Sequence, residues 1–338
     1  MKLEHAYINR ETGKVHKEEF LADRAVAFVY STVREKAPWF FNALTGPGTT
    51  GLLGFFNYDL ALNSRFSGAS QFVRTIGLDE SECLLPLSEL DTPRKVFERR
   101  IAYWRCRPME PNPDSIVSPA DAKMFTGSLN DTSSLYLKGK FFDFEELVGK
   151  DRHDLHGRFD GADFAVFRLT PDKYHHNHVP VSGVVTDIFW VDGCYHSCNP
   201  SASVAVATPL SKNRRVVTII DTDVKDGSNI GTVIMVEVVA LMIGDIVQCY
   251  SEFRYDDPAA VTPGLFMRKG RPKSLFRPGS STVVLFFERD RITFSEDLVK
   301  NQLRSDIDNR FAPWLEKPLV ETEVEVRSTI ATRRHHDR

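Results

Sequence analysis

Cysteine is scarce in this chain. Five cysteines at irregular spacing among 338 residues do not make a disulfide scaffold, and an odd number leaves at least one thiol free, so a reducing compartment is expected. An excess of charge of one sign is also missing, since 43 Lys and Arg stand against 46 Asp and Glu for a formal net charge of −3. That balance disfavours a protein tracking phosphates through bulk positive charge, and nucleic acid is not an expected partner. Long hydrophobic runs are absent. The most apolar stretch, Ile230 to Ile243, is interrupted by Glu237 and falls short of the ~20 residues that cross a bilayer. The opening MKLEHAYINRETGKVHKEEF has no apolar core of a secretory signal, and neither an internal repeat nor a low-complexity tract is found. These absences point to a cytoplasmic protein that at most lies on a membrane.

With 42% apolar residues, the chain can fill one large domain or two ordinary ones around a sizeable core. The first hundred residues read as helical: KEEFLADRAVAFVYSTVREKA and TPRKVFERRIAYWR carry apolar residues at helical spacing. Between them, residues 38–59 are rich in Trp, Phe and Leu and broken by Gly and Pro. This segment is read either as lying in a lipid interface or as packing on the protein's own core. From about Pro108 the texture changes to short β-rich runs, among them SIVSPADAKM, ADFAVFRLT, GVVTDIFWV, ASVAVATPL, RRVVTIIDTDV, NIGTVIMVEVVALMIGDIV and STVVLFFER. The expected class is α+β, with an N-terminal helical layer (1–107) packed on a mostly antiparallel β-sandwich or barrel core (108–338). Phe164, Val166, Phe167 and Leu169 alternate along a strand and read as core. The tail ATRRHHDR is expected to fray.

Three clusters could carry chemistry. Asp121 ends Ser118-Pro119-Ala120-Asp121, where a lone carboxylate would ordinarily cap a turn. Tyr174-His175-His176-Asn177-His178-Val179-Pro180 places three histidines within four positions, a spacing that also suits zinc, with Cys194 and Cys198 downstream as further ligands. Gly279-Ser280-Ser281 stands at the mouth of the run TVVLFF. A glycine there permits a strained peptide bond beside a hydroxyl that could attack it.

Together, in this order, SPAD, FRLTPDKYHHNHVPVSG and GSSTVVLFF resemble the pyruvoyl-dependent phosphatidylserine decarboxylases, as do TPRKVFERRIAYWRCRPMEPNPDSIVSPAD, YLKGKFFDFEELVG and YINRETGKV. The resemblance implies a proenzyme cut between Gly279 and Ser280, with the strands after the cut completing the core. By position Ser280 matches the serine that becomes the pyruvoyl group, His178 the general base, and Asp121 the carboxylate orienting it. His175 matches the histidine near the substrate, in carboxylate recognition or proton delivery. The covalent pyruvoyl ketone would form a Schiff base with the substrate amine and accept the electrons left by CO₂, so no external cofactor is implied. The implied partners are a phospholipid substrate, a membrane surface and the protein's own two cleaved chains, with homo-oligomerisation left open.

The chain departs from the family pattern in two places. Ala122 stands where relatives usually have Gly, and Lys269-Gly270-Arg271-Pro272-Lys273-Ser274-Leu275-Phe276-Arg277-Pro278 replaces an acidic run before the cut. Those basic residues read as solvated loop charge or as contacts for a phosphate headgroup. Tyr195 and Asn199-Pro200 fit a structural turn better than a zinc site, so no metal is expected. Two other readings remain: a decarboxylase of a free aromatic amino acid with the same chemistry, and a non-catalytic or metal-binding relative.

Overall fold

The computed structural model describes residues 4–18, 73–74, 76–130, 141–196, 200, 208–239, 245–278, 281–315 and 317–335. Residues 38–59, and all of the expected helix 17–37 beyond Glu18, lie outside them. The strands in chain order are β1 (Ala6–Asn9), β2 (Val15–Lys17), β3 (Ser115–Val117), β4 (Ala122–Ser128), β5 (Asp163–Leu169), β6 (His176–His178), β7 (Gly183–Val191) and β8 (Arg215–Asp221). They continue with β9 (Thr232–Val239), β10 (Ile246–Gln248), β11 (Phe266–Met267), β12 (Pro272–Phe276), β13 (Ser281–Phe287), β14 (Ile292–Phe294), β15 (Glu321–Val324) and β16 (Thr329–Arg333).

Ten of these form one sheet in the order β11-β7-β8-β9-β13-β5-β4-β15-β1-β2, antiparallel except for the β1–β15 pair. Two three-stranded sheets, β10-β12-β6 and β14-β16-β3, accompany it. The fold is therefore α+β and mostly antiparallel, and the described strands form no closed barrel. β13 lies between β9 and β5 and is buried along its whole length. Its side chains alternate between two cores, as the pleat requires. Val283, Leu285 and Phe287 join one core with Phe276, Ile246, Ile292, Ile330 and Ile116 of the small sheets. Val284 and Phe286 join the other with Phe142, Phe144, Leu147 and Leu155. The small sheets thus cover one face of the large sheet and short helices the other. Phe164 and Val166 fall in the second core, Phe167 and Leu169 in the first, as their alternation predicts.

The helical pattern of TPRKVFERRIAYWR is split in two. Thr92 caps α1 (Pro93–Phe97) by accepting from Lys95 N–H, with Pro93 in the first turn. The chain then leaves the helix because Ile101 is drawn into a bridge with Cys83 and both its backbone groups meet the Tyr255 hydroxyl. Helix resumes as α2 (Tyr103–Cys106). YINRETGKV, within the part read as helical, is instead the β1–β2 hairpin, because Tyr7, Ile8 and Asn9 find partners in β15. Ala331–Arg333 of the tail lie in β16, where Arg333 pairs with Asp114 at 2.9 Å. The run ASVAVATPL falls mostly outside the described residues, and its end enters a helical turn, Pro209–Lys212. No helix among the described residues is long and apolar enough to cross a membrane.

Candidate active site

Two distant motifs meet first through the backbone. His178 N–H donates to the Pro119 carbonyl at 2.7 Å, and Val117 N–H to the Pro180 carbonyl at 3.1 Å, so the histidine block lies against the turn that carries Asp121. The Asp121 side chain, however, is committed elsewhere. One oxygen accepts from Val326 N–H at 2.7 Å, and Arg107 grips both through Nε at 3.1 Å and Nη2 at 3.0 Å. Arg107 also reaches Glu82 at 2.6 Å and Glu325 at 3.4 Å, and this collar of carboxylates holds its guanidinium charged despite burial. Burial pushes the Glu325 carboxyl up to about 7, against the pull of Arg107.

His178 is fully buried. Its Nδ1 lies 3.0 Å from the Gly270 carbonyl and its Nε2 3.0 Å from the Tyr174 hydroxyl. A carbonyl only accepts, so Nδ1 carries the hydrogen and Nε2 keeps the lone pair that a base needs. The Tyr103 ring stands edge-on to the imidazole at 4.7 Å. Burial lowers the His178 pKa to about 3, so the ring is neutral. Gly270 has φ of +76°, and a Cβ there would meet Met109 Sδ at 2.6 Å. Glycine is what allows this carbonyl to face the ring.

The other two histidines occupy separate aromatic settings. His175 stacks on Phe97 with centroids 3.6 Å apart, and His176 stacks on Tyr174 at 5.3 Å and meets Tyr255 edge-on at 5.2 Å. Burial lowers each pKa to about 3. Among the described residues the one group with metal-ligand spacing is elsewhere: His5, Glu18 and Glu321. Arg168 already pairs with both of its carboxylates and Lys123 with Glu18, so the group is an ion-pair network. Cys198 lies outside the described residues, and Cys194 is exposed.

β12 passes His178 at Pro272 and reaches the His175 carbonyl through Phe276 N–H at 3.0 Å, so both histidines flank the strand leading to residues 279–280. Gly279 and Ser280 themselves lie outside the described residues, while Ser281 begins β13 opposite Leu169 and Val239. The basic stretch 269–278 is not a solvated patch. Lys273 is fully buried and pairs with Glu237 at 2.7 Å, and Lys269 Nζ donates to the Asn112 and Ser115 carbonyls at 2.8 and 2.7 Å. Glu237 also accepts from Asn177 at 2.9 Å, from Gln248 at 3.0 Å and from Ser274. Arg277, opposite Asp245, is the half-exposed member. The charge of Lys273 thus clamps β6, β10 and β12 onto β9. The sequence signal for Glu237 was its lone intrusion into an apolar run, whereas nothing local marked Tyr255, Arg107 or Gly270.

A family model described as phosphatidylserine decarboxylase matches residues 94–311. The chain belongs to the phosphatidylserine decarboxylase family. It is 30% identical to the phosphatidylserine decarboxylase proenzyme of Chlamydia muridarum, over 88% of this chain and 91% of the relative. Identity to the Clostridium tetani proenzyme is 29%, over 68% and 71% of the two chains. With phosphatidylserine decarboxylase proenzyme 2 of Oryza sativa it is 33%, over 69% of this chain and 35% of that one. The family's match spans α1 from its second residue, α2, the Asp121 turn, the histidine block and β13.

Proposed function

We propose that this chain is a self-processing carboxy-lyase that converts phosphatidylserine to phosphatidylethanolamine and CO₂ at a membrane surface. The observation carrying the proposal is a neutral, buried His178 whose Nε2 lone pair meets the Tyr174 hydroxyl, on the strand that pairs with β12, in a chain of this family. In this reading His178 takes the Ser280 hydroxyl proton. The hydroxyl oxygen attacks the Gly279 carbonyl carbon, and the Gly279–Ser280 C–N bond breaks to leave an ester and a free amine. Removal of the residue 280 α-proton then expels the Gly279 carboxylate, and water converts the resulting dehydroalanine to a pyruvoyl terminus and ammonia.

The surroundings suit such a group, since β12 meets His175 at Phe276 shortly before residues 279–280 and β13 begins at Ser281 just after them. A pyruvoyl group there supplies the electron sink that loss of CO₂ from an α-amino acid requires. His175, immediately before β6 and stacked on Phe97, is the residue we assign to recognising the substrate carboxylate or delivering the proton to its α-carbon. Asp121 acts at one remove: with Arg107 it fixes the turn whose Pro119 carbonyl holds the His178 backbone.

The test is mass spectrometry followed by an activity assay. The wild-type protein is expected as two chains, 1–279 and 280–338, the second blocked by a pyruvoyl group, and Ser280→Ala as one. Phosphatidylserine vesicles are expected to release CO₂ with the cleaved protein, and free tryptophan or serine is not. A wild type that stays intact, or CO₂ from a free amino acid alone, defeats the proposal.

A further inference from the structure

The His178 ring belongs to a line of hydrogen-bonding groups closed at both ends by backbone carbonyls. From the Gly270 carbonyl the line runs 3.0 Å to Nδ1, then 3.0 Å from Nε2 to the Tyr174 hydroxyl. It continues 2.7 Å to the Tyr255 hydroxyl and 2.9 Å to the Ile101 carbonyl. Four contacts need four hydrogens, because neither carbonyl can donate. A neutral imidazole and two phenols hold three. The line is therefore one hydrogen short while His178 is neutral, and complete when it becomes an imidazolium. Tyr174, His178 and Tyr255 are all buried.

We infer that Tyr255, acting through Tyr174, is a positioning residue that makes His178 a stronger base for self-cleavage, because accepting the serine proton completes this line. The inference rests on the self-processing reading above. Before the step, Nδ1–H points at Gly270, the Tyr174 O–H at Nε2 and the Tyr255 O–H at Tyr174, and the Ile101 carbonyl receives no hydrogen. When the Tyr174 hydrogen turns from Nε2 to Tyr255 and the Tyr255 hydrogen to Ile101, the Nε2 lone pair is released to take the Ser280 proton, and Nε2–H then donates to the Tyr174 oxygen. The hydroxyls only reorient: the positive charge stays on the imidazole and the electron pair of the broken O–H bond forms the bond to the Gly279 carbon. Ile101 N–H, 3.3 Å from the Tyr255 oxygen, donates in both states. The line thus gives an imidazolium what a carboxylate would give it elsewhere, which fits the commitment of Asp121 to Arg107.

The surrounding groups set the opposition. Burial disfavours a charged His178 most, followed by Arg327, His176 and Arg271. Asp121 and Tyr103 face Tyr174, and Tyr103 and Cys106 face Tyr255. Tyr255→Phe leaves two contacts for two hydrogens, so the shortened line is complete when neutral and gains nothing from a proton.

The experiment follows cleavage of chain made in a cell-free system from pH 5 to 9, for wild type, Tyr174→Phe, Tyr255→Phe and the double variant, with near-ultraviolet circular dichroism to confirm folding. Tyr255→Phe is expected to cleave about tenfold more slowly across this range, the effect of one hydrogen bond on a base. The double variant is expected to be no slower than Tyr174→Phe alone. A Tyr255→Phe chain as fast as wild type across the range, or singles whose effects multiply in the double, overturns the inference. The second arm needs no cleavage: ¹⁵N NMR of the Ser280→Ala chain is expected to show the His178 Nε2 resonance moved by Tyr255→Phe, and an unmoved resonance also overturns it. A wild type that never cleaves defeats the self-processing reading while this second arm still decides the line.

Discussion

The backbone N–H of His178 donates to the Pro119 carbonyl at 2.7 Å, two residues before Asp121, whose own carboxylate is turned to Arg107. Asp121 and His178 are thus joined through a turn rather than by their side chains. This predicts that removing Arg107 harms His178 through the fold. Arg107→Met strands a buried Asp121 and is expected to destabilise the uncut Ser280→Ala chain by about 3 kcal/mol in urea unfolding, and to slow cleavage of the otherwise wild-type chain. A variant with unchanged stability would deny Arg107 this role.

The buried Glu237–Lys273 pair holds the small sheet that carries His178 onto the large one. Lys273→Met alone leaves Glu237 charged and unpaired, at an expected cost of about 3 to 5 kcal/mol. Adding Glu237→Leu is expected to recover most of that loss, since an apolar pair of similar volume needs no desolvated charge. Chemical denaturation of both variants decides it: equal stabilities would mean that the charges do not interact.

Three buried neutral histidines make acid a specific threat. Their folded pKa values are lowered to about 3, while the unfolded chain binds protons at about 6.5. Stability is therefore full above pH ~6.5 and falls as the pH drops toward 3, by about 2 kcal/mol per histidine at pH 5. Lowered carboxylates act in the same direction: burial alone would raise Glu321, but Arg168 and His5 outweigh it. Replacing His176 by Phe, whose ring keeps the stack on Tyr174, is expected to flatten the acid limb of stability against pH. An unchanged slope would show that His176 takes up its proton in the folded state.

Histidine roles separate on two assays. His178→Ala is expected to abolish cleavage, and His175→Ala to permit cleavage but to lower CO₂ release at least tenfold, the lower range for loss of a proton-transfer group. Cleavage by His178→Ala at the wild-type rate would remove the base from the mechanism.

Gly270→Ala tests the carbonyl that selects the His178 tautomer. The residue has φ of +76° and a Cβ would press on Met109, so the substitution is expected to slow cleavage more than it lowers the melting temperature. The opposite ranking would assign Gly270 to folding alone.

Much of the core was legible because period-two alternation is a local signal: Val283 to Phe287 and Phe164 to Leu169 were written as strands in the sequence and are strands in the sheet. The β1–β2 hairpin was hidden because its decisive partner, β15, lies more than three hundred residues away. The break between α1 and α2 was hidden for a similar reason. A helical period continues through Glu98–Ala102, yet Tyr255 and Cys83 hold Ile101 out of helix.

The sequence by itself determined the residue types available for chemistry and their order: an Asp after a turn, a histidine block, and a Gly-Ser at the head of an apolar strand. It also determined the family. Only the tertiary structure decided which side chains meet. Asp121 fell to Arg107, Lys273 to Glu237, and His178 to Gly270 and Tyr174, because a buried charge or lone pair takes whatever partner the packed strands bring within about 3 Å.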